Sequence, residues 1–256
     1  MNKHAKLRSV LVLTFCLPLS VFVSSSGRSQ QLIQGHQNHL SASLAAHQLP
    51  HPMNATMGIP DPVGSYNIRL NGFRQKNNGG AEYDLSGHIG YGMFEWGGIH
   101  LRSLGVRTTP FTEIIGIVGF WRNDARTQGA SLLGIIGLPT GKKKGEAHHG
   151  LAYLLGLTGR MARDGLLTND IILHYDFSAK HYIAENGMVI ELTPNVFGVV
   201  DARGVFGKSR PEVSLLPALK LRMLSSTYVA IGYNASLTKA KPFQNQMFVQ
   251  VEIGSH

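Results

Sequence analysis

The chain has 256 residues, a formal net charge of +9, a pI near 9.8, and only 15% charged residues against 30 glycines. Lys and Arg are spread through alternating positions and loops rather than gathered in one patch, so the composition argues against a nucleic-acid binder. The length allows one or two domains.

The first segment reads as a secretory signal peptide, residues 1–26. Lys3, Lys6 and Arg8 form the basic region, Ser9 to Val23 the apolar region, and Ser24 to Gly27 supply small residues for cleavage. The apolar run is shorter than the roughly 20 residues that a membrane helix needs. Cleavage removes Cys16, the single cysteine, so no disulfide or thiol chemistry is expected. No later stretch is long and apolar enough for a membrane helix, which leaves an exported chain built from strands.

Residues 27–62 differ in composition, with Gln, Asn, His, Ala and Pro and no sustained period. They read as a flexible periplasmic arm. Its His36, His39, His47, His51, Met53 and Met57 are imidazole and thioether groups of the kind that suit copper or another soft metal, though their spacing matches no defined site. A polar leader with chance histidines is the plainer alternative, and no other cofactor is expected.

From Tyr66 onward, residues 63–256, apolar and polar residues alternate with a period of two, the signature of strands with one apolar and one polar face. Tyr66, Ile68 and Leu70 oppose Asn67, Arg69 and Asn71. Tyr83, Leu85, Ile89 and Tyr91 oppose Glu82, Asp84, Ser86 and His88. Ile99 and Leu101 oppose His100 and Arg102. The stretches 111–121 and 130–138 are apolar and Gly-rich on both faces, so their orientation is open. Leu155 and Leu157 oppose Thr158 and Arg160; Ile171 and Leu173 oppose His174 and Asp176; Val200 and Ala202 oppose Asp201 and Arg203. In the last three strands Leu219 and Leu221 oppose Lys220 and Arg222, Val229 and Ile231 oppose Asn234, and Val249 and Val251 oppose Gln250 and Glu252. Pro217 breaks the rule that proline avoids strand interiors.

The count is about twelve strands. Mostly short connections (94–96, 122–129, 162–165, 193–195, 224–226), of which 122–129 is the least tidy, alternate with mostly longer ones (75–81, 104–110, 140–149, 178–183, 206–211, 238–244), as in barrels that pair short periplasmic turns with longer outside loops. Alternation alone does not say which face points inward. Opposed charges on the polar face, the strand number, and aromatics near strand ends (Phe94, Trp96, Trp121, Phe177, Phe206, Tyr228, Phe243) favour a wet lumen and a lipid-facing apolar wall. The expected fold is all-β, an antiparallel up-and-down transmembrane barrel. The residues expected to line its lumen are Arg69, Glu82, Asp84, His88, His100, Arg102, Arg160, His174, Asp176, Asp201, Arg203, Lys220, Arg222, Gln250 and Glu252.

Three motifs carry a family resemblance over roughly Tyr66 to Gly254: Gly137-Leu-Pro-Thr-Gly141 ending a strand, Glu191-Leu-Thr-Pro-Asn195 at a turn, and Val213-Ser-Leu-Leu-Pro-Ala-Leu-Lys-Leu-Arg222. In these the chain resembles the outer-membrane family named for the meta-pathway of phenol degradation. The resemblance implies an outer-membrane channel or transporter for small solutes, with a link to aromatic compounds, no catalytic residues, and lipid and the barrel assembly machinery as partners. Gly137 to Lys142 lacks the spacing and the following helix of a phosphate loop. No motif selects Ser86 or Ser103 as a nucleophile, so no enzyme is expected. A metal-handling outer-membrane protein and a soluble periplasmic ligand-binding barrel are the alternative readings.

Overall fold

The computed structural model describes residues 49–53, 58–77, 80–105, 111–124, 126–140, 150–163, 166–207, 211–238 and 246–255. The signal peptide and residues 27–48 of the arm lie outside them. Twelve strands follow: β1 (Tyr66–Asn77), β2 (Gly80–Phe94), β3 (Gly97–Gly105), β4 (Phe111–Arg122), β5 (Gln128–Pro139), β6 (Ala152–Arg163), β7 (Leu167–Asp176), β8 (His181–Thr193), β9 (Val196–Phe206), β10 (Glu212–Leu224), β11 (Thr227–Ser236) and β12 (Gln246–Ser255).

Each strand pairs antiparallel with the next, and β12 returns to β1, so the sheet closes on itself without an edge. Closure matters because an open edge would leave a row of backbone donors and acceptors unpaired. The closing ladder sets Arg69 opposite Glu252, Asn71 opposite Gln250, and Leu70 opposite Val251.

The orientation left open by alternation is settled on β12. Val249 and Val251 are 44% and 37% exposed on the outer surface, whereas Gln250 and Glu252 are fully buried inside. The same sense runs round the wall. Leu70, Leu85, Ile89, Leu101, Leu132, Leu157, Leu173 and Ile231 form an exposed apolar belt. Of the strand-end aromatics, Phe94, Trp121 and Phe177 are exposed on the outside, whereas Trp96 lies at the rim beside Arg122 and Pro60. Tyr228 instead turns inward, fully buried edge-to-face against Phe197; Phe243 lies outside the described residues.

Two expectations about the wall need correction. The 75–81 connection is not a long loop: β1 and β2 continue pairing to Asn77 opposite Gly80, leaving two residues between them. The interior is also less uniformly polar than alternation suggests. On the two Gly-rich strands β4 and β5, Ile115, Ile117, Leu133 and Ile135 point inward and join Leu154, Ile172 and Ile183 in a buried apolar cluster, while Ile114, Val118, Leu132 and Ile136 face out. Strands apolar on both faces carry no period-two signal.

Pro217 finds its explanation in the ladders. Its pairing to β9 is continuous through Val200. On the β11 side partners are formed at Leu215 and Ala218 but not at Leu216 or Pro217. The lost N–H therefore falls at a lapse in the ladder, beside a shallow outer groove lined by Pro217, Leu219, Ile231, Tyr233 and Met247. Restoring the donor with Pro217→Val is expected to close the lapse and raise the unfolding midpoint, by about 1 kcal/mol for one net hydrogen bond. Thermal unfolding followed by gel mobility would measure it, and no gain would show that the groove has another cause.

Candidate functional site

The site is the barrel interior, and its central feature is that the chain enters its own lumen. The expectation of a free arm does not describe residues 49–53 and 58–62. Leu49, His51, Met53, Ile59 and Asp61 are all buried. They run across the interior before the chain turns at 62–65 into β1.

The first half of this plug, Leu49-Pro-His-Pro-Met53, lies against β9 to β12 and β1. Alternate side chains are anchored. Leu49 and Met53 pack into an apolar cluster with Phe197, Leu216, Tyr228 and Phe248. His51 between them meets Glu252: its backbone N–H donates to Oε1 at 3.0 Å, and its ring Nδ1 lies 2.7 Å from the same atom. The backbone carbonyls are taken in turn. Lys220 Nζ donates to His51 O (2.6 Å), Arg69 to Pro52 O (3.0 Å), and Gln250 to Met53 O (2.7 Å). Pro50 and Pro52 have no N–H, so a buried segment of this composition presents mainly acceptors, and the wall answers with donors.

The second half reaches the far wall. Gly58 sits so close to Gly159 O and the Asp170 carboxylate that a Cβ there would overlap both, which only glycine avoids. Ile59 covers Gly129, and Arg126 donates to Pro60 O. Pro62 O lies where a side chain on Gly92 would be, and Gly92 also exchanges backbone hydrogen bonds with the turn, from Gly64 N–H (2.9 Å) and to Ser65 O (3.0 Å).

Asp61 connects the plug to a line of imidazoles. It lies 3.9 Å from His51 Nε2 and 3.8 Å from His100 Nε2. His100 Nδ1 is 2.8 Å from His88 Nε2, and Arg69 donates to His88 Nδ1 at 2.6 Å. The guanidinium only donates, so His88 Nδ1 accepts and its Nε2 carries the proton. His100 Nδ1 then accepts that proton's hydrogen bond, which leaves the His100 Nε2–H aimed at Asp61. Polar contacts thus run from Arg69 through both imidazoles to Asp61, His51, Glu252 and Lys220.

Other interior charges pair across neighbouring strands, one pair beside Gly58 and two beyond the plug. Arg102 meets Glu113 at 2.6 Å, and Arg160 holds Asp170 through two 2.8 Å bonds; Arg203 lies 3.3 Å from Glu185. In each case the partners are directly opposite in register.

Of the residues expected to line the lumen, Arg69, Lys220, Gln250 and Glu252 grip the plug. Arg102, Arg160 and Arg203 form the cross-strand pairs, and His88 and His100 the imidazole line. Arg222 stacks over Phe197 and Tyr228. Asp84, His174 and Asp201 are buried in the wall, and Glu82 is half-buried. Asp176 instead caps the 177–180 turn, accepting from Ser178 and Ala179 N–H. His36, His39, His47 and Met57 lie outside the described residues. His51 and Met53 are engaged with Glu252 and the apolar cluster, and among the described residues no group of three or more His, Cys, Asp or Glu side chains is arranged to hold a metal. Sequence reasoning missed Asp61, Glu113, Asp170 and Glu185, and placed Asn67 on the polar face without counting it among the lumen residues. Asp170 shares the period of His174 and was reachable by extending that strand. Glu113 is masked by its apolar neighbours, and Asp61 stands in a segment with no period at all.

No family model matches the chain, and no curated protein matches it. Solved structures do. The KdgM porin in complex with disordered oligogalacturonate superposes with a TM-score of 0.56 at 11% identity, over 74% of this chain and 99% of that one. The NanC porin gives 0.55 at 8%, over 74% and 98%. The chain has the fold of a twelve-strand porin barrel. At these identities the likeness is one of fold, and the resemblance to the phenol meta-pathway family rests on its three motifs alone.

Burial opposes charge on His51, but Glu252 and Asp61 outweigh it, and the imidazole pKa lies above its ordinary 6.5. A raised pKa stabilises the docked plug fully below 6.5, and that contribution is lost as pH rises through the docked value. Burial likewise opposes charge on Asp61, yet His51 and His100 outweigh it and hold its pKa below the ordinary 3.8. Its contribution is present above 3.8 and lost as pH falls through the depressed value. Protease protection of residues 49–53 is therefore expected to be greatest between these limits and to fall towards alkaline pH. Protection unchanged from pH 6 to 10 would remove His51 from the latch.

Lys220→Met leaves Glu252 without its closest cation. A broken buried pair costs about 3 kcal/mol, read as a lower unfolding midpoint. Adding Glu252→Gln is expected to recover much of that loss, and no recovery would show that the pair is not the source.

Proposed function

We propose that this chain is an outer-membrane channel that passes small solutes through a lumen closed by its own residues 49–53 and 58–61. One observation carries the reading: the sheet is closed, apolar outside and charged inside. That is the reverse of a soluble ligand-binding barrel, whose apolar face points inward, and it suits lipid on one side and water on the other. The signal-peptide pattern, lipid and the barrel assembly machinery as partners, and an outer-membrane location all agree with it. Likeness to KdgM and NanC, both porins by name, supports it further.

The interior charges are largely paired with one another, so selectivity by net charge is weak. The finer reading is a solute with an apolar or aromatic body. It is supported by the motif resemblance. The proposal assigns no catalytic residue.

Fractionation and planar-bilayer conductance test it together. The mature protein is expected in detergent-extracted outer membrane, with small single-channel currents that grow when the plug is loosened. Leu157→Arg, in the middle of the outer belt, is expected to cost about 2–4 kcal/mol of folding into bilayers. Detergent-free solubility, or tolerance of Leu157→Arg, would overturn the membrane reading.

A further inference from the structure

We infer that the inner wall gripping Leu49–Met53 is a binding site for extended peptides, with apolar residues flanking a basic one at alternate positions, and that the plug closes the lumen by occupying it. This rests on the channel reading above and names a ligand class and a means of closure for the same interior.

The grip is addressed to atoms that every peptide owns. Three successive backbone carbonyls each take a donor from a different strand: Lys220 on β10, Arg69 on β1 and Gln250 on β12. Between Lys220 and Gln250 the register places Ala230 of β11, opposite both. Its methyl leaves floor space for a chain to lie between the two longer side chains. Side-chain selection comes from the slots beside that row. Residues 49 and 53 enter the apolar cluster, while residue 51 meets the Glu252 carboxylate. A strand presents alternate side chains to one face, so an extended peptide with apolar, basic and apolar residues at i, i+2 and i+4 presents the same three groups.

The site also keeps its shape when the plug leaves, because each donor has a second partner in the wall. Lys220 is held by Glu252 at 2.6 Å, Arg69 by His88 at 2.6 Å, and Gln250 by Asn71 at 2.9 Å. Groups fixed in advance lose little freedom on binding.

Gly58→Val in the full chain provides the test. The added side chain overlaps Gly159 and Asp170 and is expected to displace the plug while leaving every barrel residue in place. A labelled peptide of sequence 48–62 is then titrated into the detergent-folded variant and followed by anisotropy. Binding is expected at about 1 mM or below, the effective concentration that a short tether supplies. A scrambled peptide and a malto-oligosaccharide of similar length are expected to bind at least about ten-fold more weakly, and adding Gln250→Leu to weaken the peptide by about five-fold. In bilayers the same peptide is expected to reduce the variant's current at least about two-fold at that concentration. No binding to the folded variant, or equal binding of the scrambled peptide or the sugar, overturns the inference. Peptide binding without any current would keep the site and count against the channel. If Gly58→Val does not fold, excess peptide added to the unmodified protein is expected to expose residues 49–53 to protease, and unchanged protection overturns the inference.

Discussion

The carboxylate of Glu252 is the point on which the closed state turns. It faces the lumen from the last strand and is fully buried. It takes the Lys220 ammonium, the backbone and ring of His51, and the Asn67 amide. A buried carboxylate is tolerated only when its acceptor capacity is met. Here the wall meets it in part and the plug completes it. Each partner comes from a different segment: β10, the plug and β1. One side chain therefore ties the plug to both sides of the closing seam.

Around that centre the interior divides by task. The half near the short turns holds the plug, with donors for carbonyls and aromatics for Leu49 and Met53. Further along, the Arg102–Glu113 and Arg203–Glu185 pairs flank the buried apolar wall from β4 to β8. Cross-strand ion pairs fix the register of neighbouring strands. The apolar wall offers no anchor to water or to a charged solute. The lumen is thus asymmetric, polar where it grips and partly oily where it does not.

Much of the barrel could be read directly, and the reason is local. Period-two alternation on β1, β2, β10 and β12 is a property of neighbouring residues, and it put Arg69, His88, Lys220, Gln250 and Glu252 on one face. Orientation was not local. Opposed charges, strand number and strand-end aromatics favoured a polar lumen, and the closed sheet places Val251 outside and Glu252 inside. The stretches forming β4 and β5 hid their inward face, since Ile114 and Ile115 differ in nothing but direction. The plug was the least legible part. Leu49-Pro-His-Pro-Met53 has no period, and its prolines suggest an open, solvated arm. Two of the donors that hold it, Lys220 and Gln250, lie 169 and 197 positions away in the chain. Pro217 looked like a breach of strand rules and became intelligible only once the β10–β11 ladder was seen to lapse beside it.

Placement of the plug on the β1–β12 seam bears on how the barrel is made. That ladder joins the two ends of the sheet, Tyr66 to Ser255, and closing so long a loop carries the greatest entropic cost of any pairing in the molecule. Residues 49–53 bind Arg69 and Asn67 on one edge and Gln250 and Glu252 on the other. They thus bridge the two edges that the closing ladder joins. The segment that fills the lumen is thereby also a strap across the one pairing that joins the two ends of the sheet.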